Sequence, residues 1–214
     1  MAEQQPTLEE TPPPLASEPD DVEVESLEDA PSVAELDPEA RARRDAALRL
    51  VRKFGDPILR ATAVPVDRFD ADLQAEVERM GELMEDALGI GLAATQVGVL
   101  HRVLVYKAYE EDPLTALVNP TVEWRSEELE AADEGCLSLP GVHVEVERPA
   151  RVRVRAQDET GQALGLDLEG LQARVIQHEI DHLDGVLILD RIPRQARKEA
   201  MRAMRAAQEG AGGA

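Results

Sequence analysis

The chemistry open to this chain centres on Gln177-His178-Glu179-Ile180-Asp181-His182, which contains H-E-x-x-H. On a helix, residues four apart stand one above the other, so His178 and His182 can offer two imidazole nitrogens to one metal ion. Glu179, beside the first histidine, is placed to handle protons on a metal-bound water. The competing reading is a solvated helix whose histidines and acids sit together by chance.

A third ligand is available. The chain holds four histidines and one cysteine, Cys136. A Cys136 thiolate with His178 and His182 makes three protein ligands. A structural zinc site is closed by a fourth protein ligand, whereas a catalytic one keeps a position for water. Closure would need His101, His143 or a carboxylate, so three ligands and a water is the more economical set. Alone, a cysteine is usually a small buried hydrophobe. Cys136 instead lies in Glu134-Gly135-Cys136-Leu137-Ser138, ahead of Leu139-Pro140-Gly141, where the backbone can be exposed and shaped. Gly89-Ile90-Gly91-Leu92-Ala93-Ala94-Thr95-Gln96 lets the chain pass close to another backbone or a ligand. No G-K-[ST] follows, so it is not a phosphate loop. The Gln96 amide and the Leu137 N–H are candidate donors to an oxygen that gains charge during attack.

These residues need elements to hold them. Leu171, Val175, Ile176, Ile180 and Leu183 fall near one face, which predicts a helix over about 169–183, ended by Asp184-Gly185. Residues 69–88 predict an amphipathic helix closed by Gly89. Asp37-Pro38 reads as a helix start. Leu48 to Phe54 is that helix's end or a first strand, before a turn at Gly55-Asp56-Pro57. Val99 to Tyr106 and Leu114 to Val118 read as strands, the second stopped by Asn119-Pro120, with a weaker strand signal over 121–131. Alternation predicts strands over 142–147 and 150–156, then a hairpin turn at Gly161 before Ala163 to Leu168. Val186 to Leu189 is a short apolar run. A basic helix is expected over 193–207, and Gly210 to Ala214 should fray. The fold class expected is α+β, with mixed or antiparallel sheets packed around the central helix that carries H-E-x-x-H.

Composition limits the alternatives. The net charge is −21, and residues 1–40 supply −13 of it through 13 acids and no Lys or Arg, leaving −8 for the rest. That acidic, proline-rich extension cannot bury enough apolar surface to offset ordering and is expected to be disordered. Residues 41–192 then form the catalytic domain, and 193–214 the basic helix and its tail. No basic start with an apolar run precedes the domain, and no stretch reaches the roughly 18 apolar residues of a span. With a single cysteine, this suggests a reducing, cytoplasmic setting and no membrane. One Trp, two Tyr and two Phe leave little for stacking on single-stranded nucleic acid, and nothing indicates sequence-specific DNA binding.

G-I-G-L-A-A-T-Q, E-G-C-L-S and Q-H-E-x-D-H, in this order and at these separations, resemble the three motifs of peptide deformylases. The resemblance runs from about Val51 to Ile192 and includes L-P-G after the cysteine motif and H-L-D-G-V-L after the last histidine. It implies a hydrolase that removes the formyl group from formyl-methionine at the start of new proteins. It implies Cys136, His178 and His182 as metal ligands, Glu179 as general base and acid, and Gln96 and the Leu137 N–H as oxyanion donors. Gly89, Ile90 and Gly91 are similar to the edge along which the peptide lies. Ile90, Leu171 and Val175 are expected to meet the methionine side chain. Ser138, Glu134 and Asp181 look like supporting groups. His143 stands where many members have an arginine.

Chemistry and resemblance differ on the metal. One thiolate and two imidazoles suggest zinc by default, while the family implies Fe²⁺, with nickel or cobalt as active substitutes. Arg194, Arg197, Lys198, Arg202 and Arg205 are a solvated face or, as in some relatives, a ribosome contact. Three other readings compete. A zincin-type protease would take its third ligand downstream. A structural metal site would need a fourth protein ligand. The third is a catalytically inactive deformylase-like protein that binds ribosomes or nascent chains.

Overall fold

The computed structural model describes residues 36–211, with side chains through Arg205. Most of the acidic extension expected to be disordered, and residues 212–214 of the expected frayed end, lie outside these residues. Helix α1 (Pro38–Leu50) starts within the last few residues of that extension. The Asp37 carboxylate accepts from the Ala40 N–H at 2.8 Å, and Pro38 takes a position whose missing N–H costs nothing. Of the two readings of Leu48 to Phe54, the helix end holds. The chain is extended at Val51, and a turn at Gly55 leads into a short 3-10 helix, Pro57–Arg60, capped by Asp56.

Helix α2 (Ala71–Asp86) is capped by Asp70 and buries Leu73, Val77, Met80 and Met84. Its end departs from expectation: Leu88, not Gly89, takes the left-handed conformation, at φ 58°. The Leu88 N–H bonds to Glu85 O and the Gly89 N–H to Met84 O, a Schellman closure with leucine in the usual glycine place. Gly89 is used differently, since a Cβ there would lie 3.0 Å from Leu137 Cδ1.

Seven strands follow: β1 (Gly91–Ala93), β2 (Val103–Tyr106), β3 (Thr115–Arg125), β4 (Leu129–Gly135), β5 (His143–Pro149), β6 (Arg151–Gln157) and β7 (Ala163–Glu169). A five-stranded sheet has the order β1-β2-β3-β6-β7, and β4 pairs with β5 in a separate hairpin. Every pairing between these strands is antiparallel; the one parallel contact among the described residues is an isolated bridge from Val64 to His101. β2 begins later than expected because Val99 and Leu100 serve the turn before it, bonding to Ala94 O and accepting from the Val64 N–H.

Asn119-Pro120 does not stop β3. Asn119 adopts φ 54° and the register shifts between Val118 and Thr121, so the strand bulges and continues. The Asn119 side chain accepts from the Val66 N–H at 2.8 Å and donates to Val66 O and Gln157, which stabilises the bulge. The weaker strand signal over 121–131 therefore divides between the end of β3 and the start of β4.

Helix α3 (Gly170–Leu183) carries H-E-x-x-H and lies between the two sheets. Ile176 and Leu183, both fully buried, pack with Leu104, Leu117, Val154 and Leu168 of the larger sheet. Burying each such side chain stabilises by about 1.5–3 kcal/mol. The short run over 186–189 becomes one helical turn, α4 (Ile188–Arg191), and α5 (Arg194–Ala211) runs beyond the expected 207, taking in Gly210 and Ala211. A second core of Val142, Val146, Ile188, Leu189 and Met204 attaches β5 to α4 and α5. The architecture is α+β.

Candidate metal centre

Three segments converge on one point. The His178 and His182 rings stand 5.0 Å apart on α3 with a 69° angle between them. Cys136 follows β4 directly, where bonds from Leu139 N–H to Cys136 O and from Val142 N–H to Leu139 O fold the chain into tight turns. Cys136 Sγ lies 3.2 Å from His182 Nε2. One donor atom from each of the three residues falls within 4.8 Å of the others. Neither His101 nor His143 joins them. His101 bonds to Glu76 of α2 at 2.8 Å, and the His143 ring lies over Gly135.

The electrostatics suit a cation. Burial, with the positive charges of His178 and Arg148, holds His182 well below its ordinary pKa, so its ring is neutral. Burial also pushes His178 down, but hydrogen bonds with Cys136 and Glu134 outweigh it and hold that ring well above its ordinary value. A metal would displace that proton.

Glu179 is buried, and its Oε2 has no hydrogen-bond partner among the described residues. Burial pushes its carboxyl up to about 7, against the pull of His178 and Arg148. In that range a carboxyl both takes and releases a proton near neutrality. Gln96 Oε1 accepts from the Ala93 N–H at 2.9 Å, which leaves its Nε2 facing Cys136 Sγ at 3.7 Å and Ser138 Oγ at 3.3 Å. A thiolate and two imidazoles, set beside an unpartnered carboxylate oxygen, fit a metal ion with one coordination position left over.

The residues expected along the peptide lie as follows. β1 is an edge strand, and the Lys107 N–H bond to Ile90 O extends its pairing on the inner side. A Cβ on Gly91 would lie 2.5 Å from Glu179 Oε1 and 2.9 Å from Val175 Cγ1. Gly91, Val175 and Glu179 are thus in contact, while Ile90 is partly exposed beside them. Leu171, one turn before Val175 on α3, is half-buried against the core of the larger sheet.

The sequence reading named Glu134 and Asp181 as supporting groups but missed the arginines that join them in a buried ionic network beneath the site. Arg148 of β5 holds Glu134 through two bonds of 2.6 and 2.9 Å and reaches Asp181 at 2.9 Å. Arg174 adds a 2.9 Å bond to Glu134, and Arg191 pairs with Asp181. Glu134 in turn bonds His178 Nδ1 at 3.0 Å, leaving Nε2 for the centre. Burial pushes the Glu134 carboxyl up, but Arg148 and His178 prevail and hold it at about 2. Arg174 stands four residues before His178, a spacing that could have singled it out. Arg148 offered no local signal beyond a charge beside a proline.

Comparisons with known proteins agree with this geometry. The family model for polypeptide deformylase matches residues 48–198. The chain is 46% identical to a peptide deformylase of Acidothermus cellulolyticus over 76% of this chain and 88% of that one. It is 47% identical to peptide deformylase 1 of Corynebacterium glutamicum, covering 75% and 96%. Among solved structures, a Synechococcus elongatus peptide deformylase in complex with actinonin matches with TM-score 0.69 and 43% identity, covering 71% and 85%. A Legionella pneumophila peptide deformylase matches with TM-score 0.72 and 34% identity, covering 77% and 97%.

Proposed function

The chain belongs to the peptide deformylase family and removes the N-formyl group from newly made peptides; from that premise we propose which of its residues do the work. Cys136, His178 and His182 hold one divalent ion, Fe²⁺ in the cell, with nickel, cobalt or zinc as substitutes. The observation that carries this reading is the convergence of their donor atoms beside the unpartnered Glu179 Oε2. When bound, the ion polarises the formyl carbonyl and makes water a stronger acid.

The chain's own groups supply the rest. Glu179 takes a proton from the attacking water and later gives it to the leaving amine, so that formate and a free N-terminus result. Gln96 Nε2 and the Leu137 N–H donate to the oxygen that becomes negative in the transition state. The peptide backbone adds as a strand along the open edge at Gly89, Ile90 and Gly91, with the methionine side chain against Ile90, Val175 and Leu171. Glu134 orients His178, and Ser138 and Asp181 steady the neighbouring groups.

The test is formate release from a short formyl-Met peptide by protein purified without oxygen and reloaded with Fe²⁺. Glu179→Ala should keep its metal and lose turnover by about 10²–10⁴-fold or more. Near-normal activity in that variant would overturn the assignment. Activity of the protein as isolated should also decay in air; air-stable activity would exclude Fe²⁺ as its working metal.

The wider setting follows the same reading. Residues 41–192 are the catalytic domain, flanked by the acidic extension and the basic helix. No described helix is long and apolar enough to cross a membrane, and work on newly made chains puts the protein in the cytoplasm. Arg194, Arg197, Lys198, Arg202 and Arg205 are exposed on α5, whose buried side is Ala200 and Met204. They suit contacts to ribosomal RNA phosphates, and such binding should weaken steeply with salt.

A further inference from the structure

The two segments that carry the oxyanion donors, Ala94–Val97 and Cys136–Ser138, lie far apart in sequence and are crossed by one short stretch of chain. Arg52 donates its N–H to Gln96 O at 2.7 Å. Lys53 donates its ammonium Nζ–H to Leu137 O at 3.0 Å. Phe54 donates its N–H to Ser138 O at 2.9 Å. Three successive residues thus bind three carbonyls, one on the Gln96 segment and two on the Cys136 segment.

We propose that Arg52–Phe54 is a clamp that sets the distance between the two donor segments, and that Lys53 is its positioning residue. This rests on the reading of Gln96 and the Leu137 N–H as donors to the developing oxyanion. Such donors help only when they are already in place, and displacement by about 1 Å costs on the order of 10²-fold in rate.

The stretch is suited to act as a fixed bar. Val51 before it is buried, and Phe54 and Cys136 pack against the same core. The Arg52 guanidinium lies where a Cβ on Gly98 would otherwise stand, at 2.7 Å. Within the clamp the Arg52 and Phe54 bonds are made by backbone, which substitution leaves intact. Lys53 alone makes its bond with a side chain. It is also the only partner of Leu137 O among the described residues, so Lys53 governs the tilt of the Leu137–Ser138 peptide unit next to the donor N–H. Burial holds the Lys53 ammonium below its ordinary pKa, Arg44 adds to that, and the neighbouring Cys136 sulfur opposes it. A lysine merely laying its stem along apolar surface would have neither connection to the site.

The experiment compares wild type, Lys53→Met and Lys53→Arg as full-length protein, reloaded with Fe²⁺ for kinetics and with Co²⁺ for spectroscopy. Lys53→Met keeps the apolar stem and should bind one metal per chain. Its kcat on a formyl-Met peptide should fall about 10–100-fold, short of or near the loss of one donor, with KM within about twofold. The thiolate-to-cobalt absorption band should move to longer wavelength, because the sulfur loses a neighbouring positive charge. Lys53→Arg should restore most of kcat and the band. Unchanged kcat and band in Lys53→Met would overturn the clamp, as would a loss confined to KM or an arginine variant no better than methionine. Absence of formate release by wild type would instead overturn the activity reading, while the cobalt band still reports on Lys53. If Lys53→Met proves insoluble, Lys53→Gln is subject to the same criteria.

Discussion

The larger sheet meets α3 through Leu104, Leu117, Val154 and Leu168 against Ile176 and Leu183. The β4–β5 hairpin and its surroundings meet the same helix through Arg148, Glu134, Arg174 and Asp181. Apolar contact is non-directional and scales with area, so it holds the helix without fixing the rotation of any one ring. Guanidinium–carboxylate pairs are directional, and here they end on Nδ1 of His178, one of the proposed ligands. Desolvation cancels much of what buried charges gain, so the ionic side adds orientation more than stability. Removing one member of it should nevertheless do more harm than trimming the apolar side.

That contrast can be broken most directly at Arg148. Arg148→Met leaves Glu134 and Asp181 short of a buried partner and should cost about 3–5 kcal/mol in urea unfolding of the metal-free protein. Metal affinity should fall roughly 10–100-fold as well. A loss below about 1 kcal/mol would show that Arg174 and Arg191 suffice.

Acid comes next. Glu134 is held at about 2 against an ordinary 4.5, so its stabilisation is fully present above pH 4.5 and is lost as pH falls toward 2. The amount is roughly 3 kcal/mol, and Glu134→Gln should remove that part of the pH dependence in metal-free protein. Equal acid sensitivity in both proteins would count against the network.

On the apolar side, Ile176→Val should cost about 0.5–1.5 kcal/mol with metal affinity unchanged. A drop in affinity there would mean that packing, too, aims the histidines. The smallest effect belongs to the outer face of the larger sheet, where Arg155 pairs with Glu123 in solvent. Arg155→Ala should change stability by about 1 kcal/mol or less, and only at low salt.

Legibility in the sequence follows the same division. The three candidate ligands, Glu179 and Gln96 could be read from local spacing, because each sits in a short motif whose residue types the chemistry needs. The helix around His178 and the hairpin at Gly161 were legible from period and turn chemistry. The passage of β3 through Asn119-Pro120 was not, because the bulge depends on Val66 and Gln157, remote in sequence. Leu88 takes the left-handed conformation expected of Gly89, while a Cβ on Gly89 would lie 3.0 Å from Leu137 Cδ1. Arg148 was invisible because what defines it is three-dimensional: two carboxylates brought together by β4 and α3.

Gly91 has a bearing on heredity. Every single-base change in a glycine codon that yields another amino acid adds a Cβ, and at position 91 that atom would fall 2.5 Å from Glu179 Oε1 and 2.9 Å from Val175. The carboxylate would have to give way. On the proposed assignment of Glu179 and of the peptide edge, a lineage pressed to exclude a toxic mimic of the peptide therefore has no one-step escape at this codon, and its surviving variants should map instead to exposed neighbours such as Leu88 and Ile90.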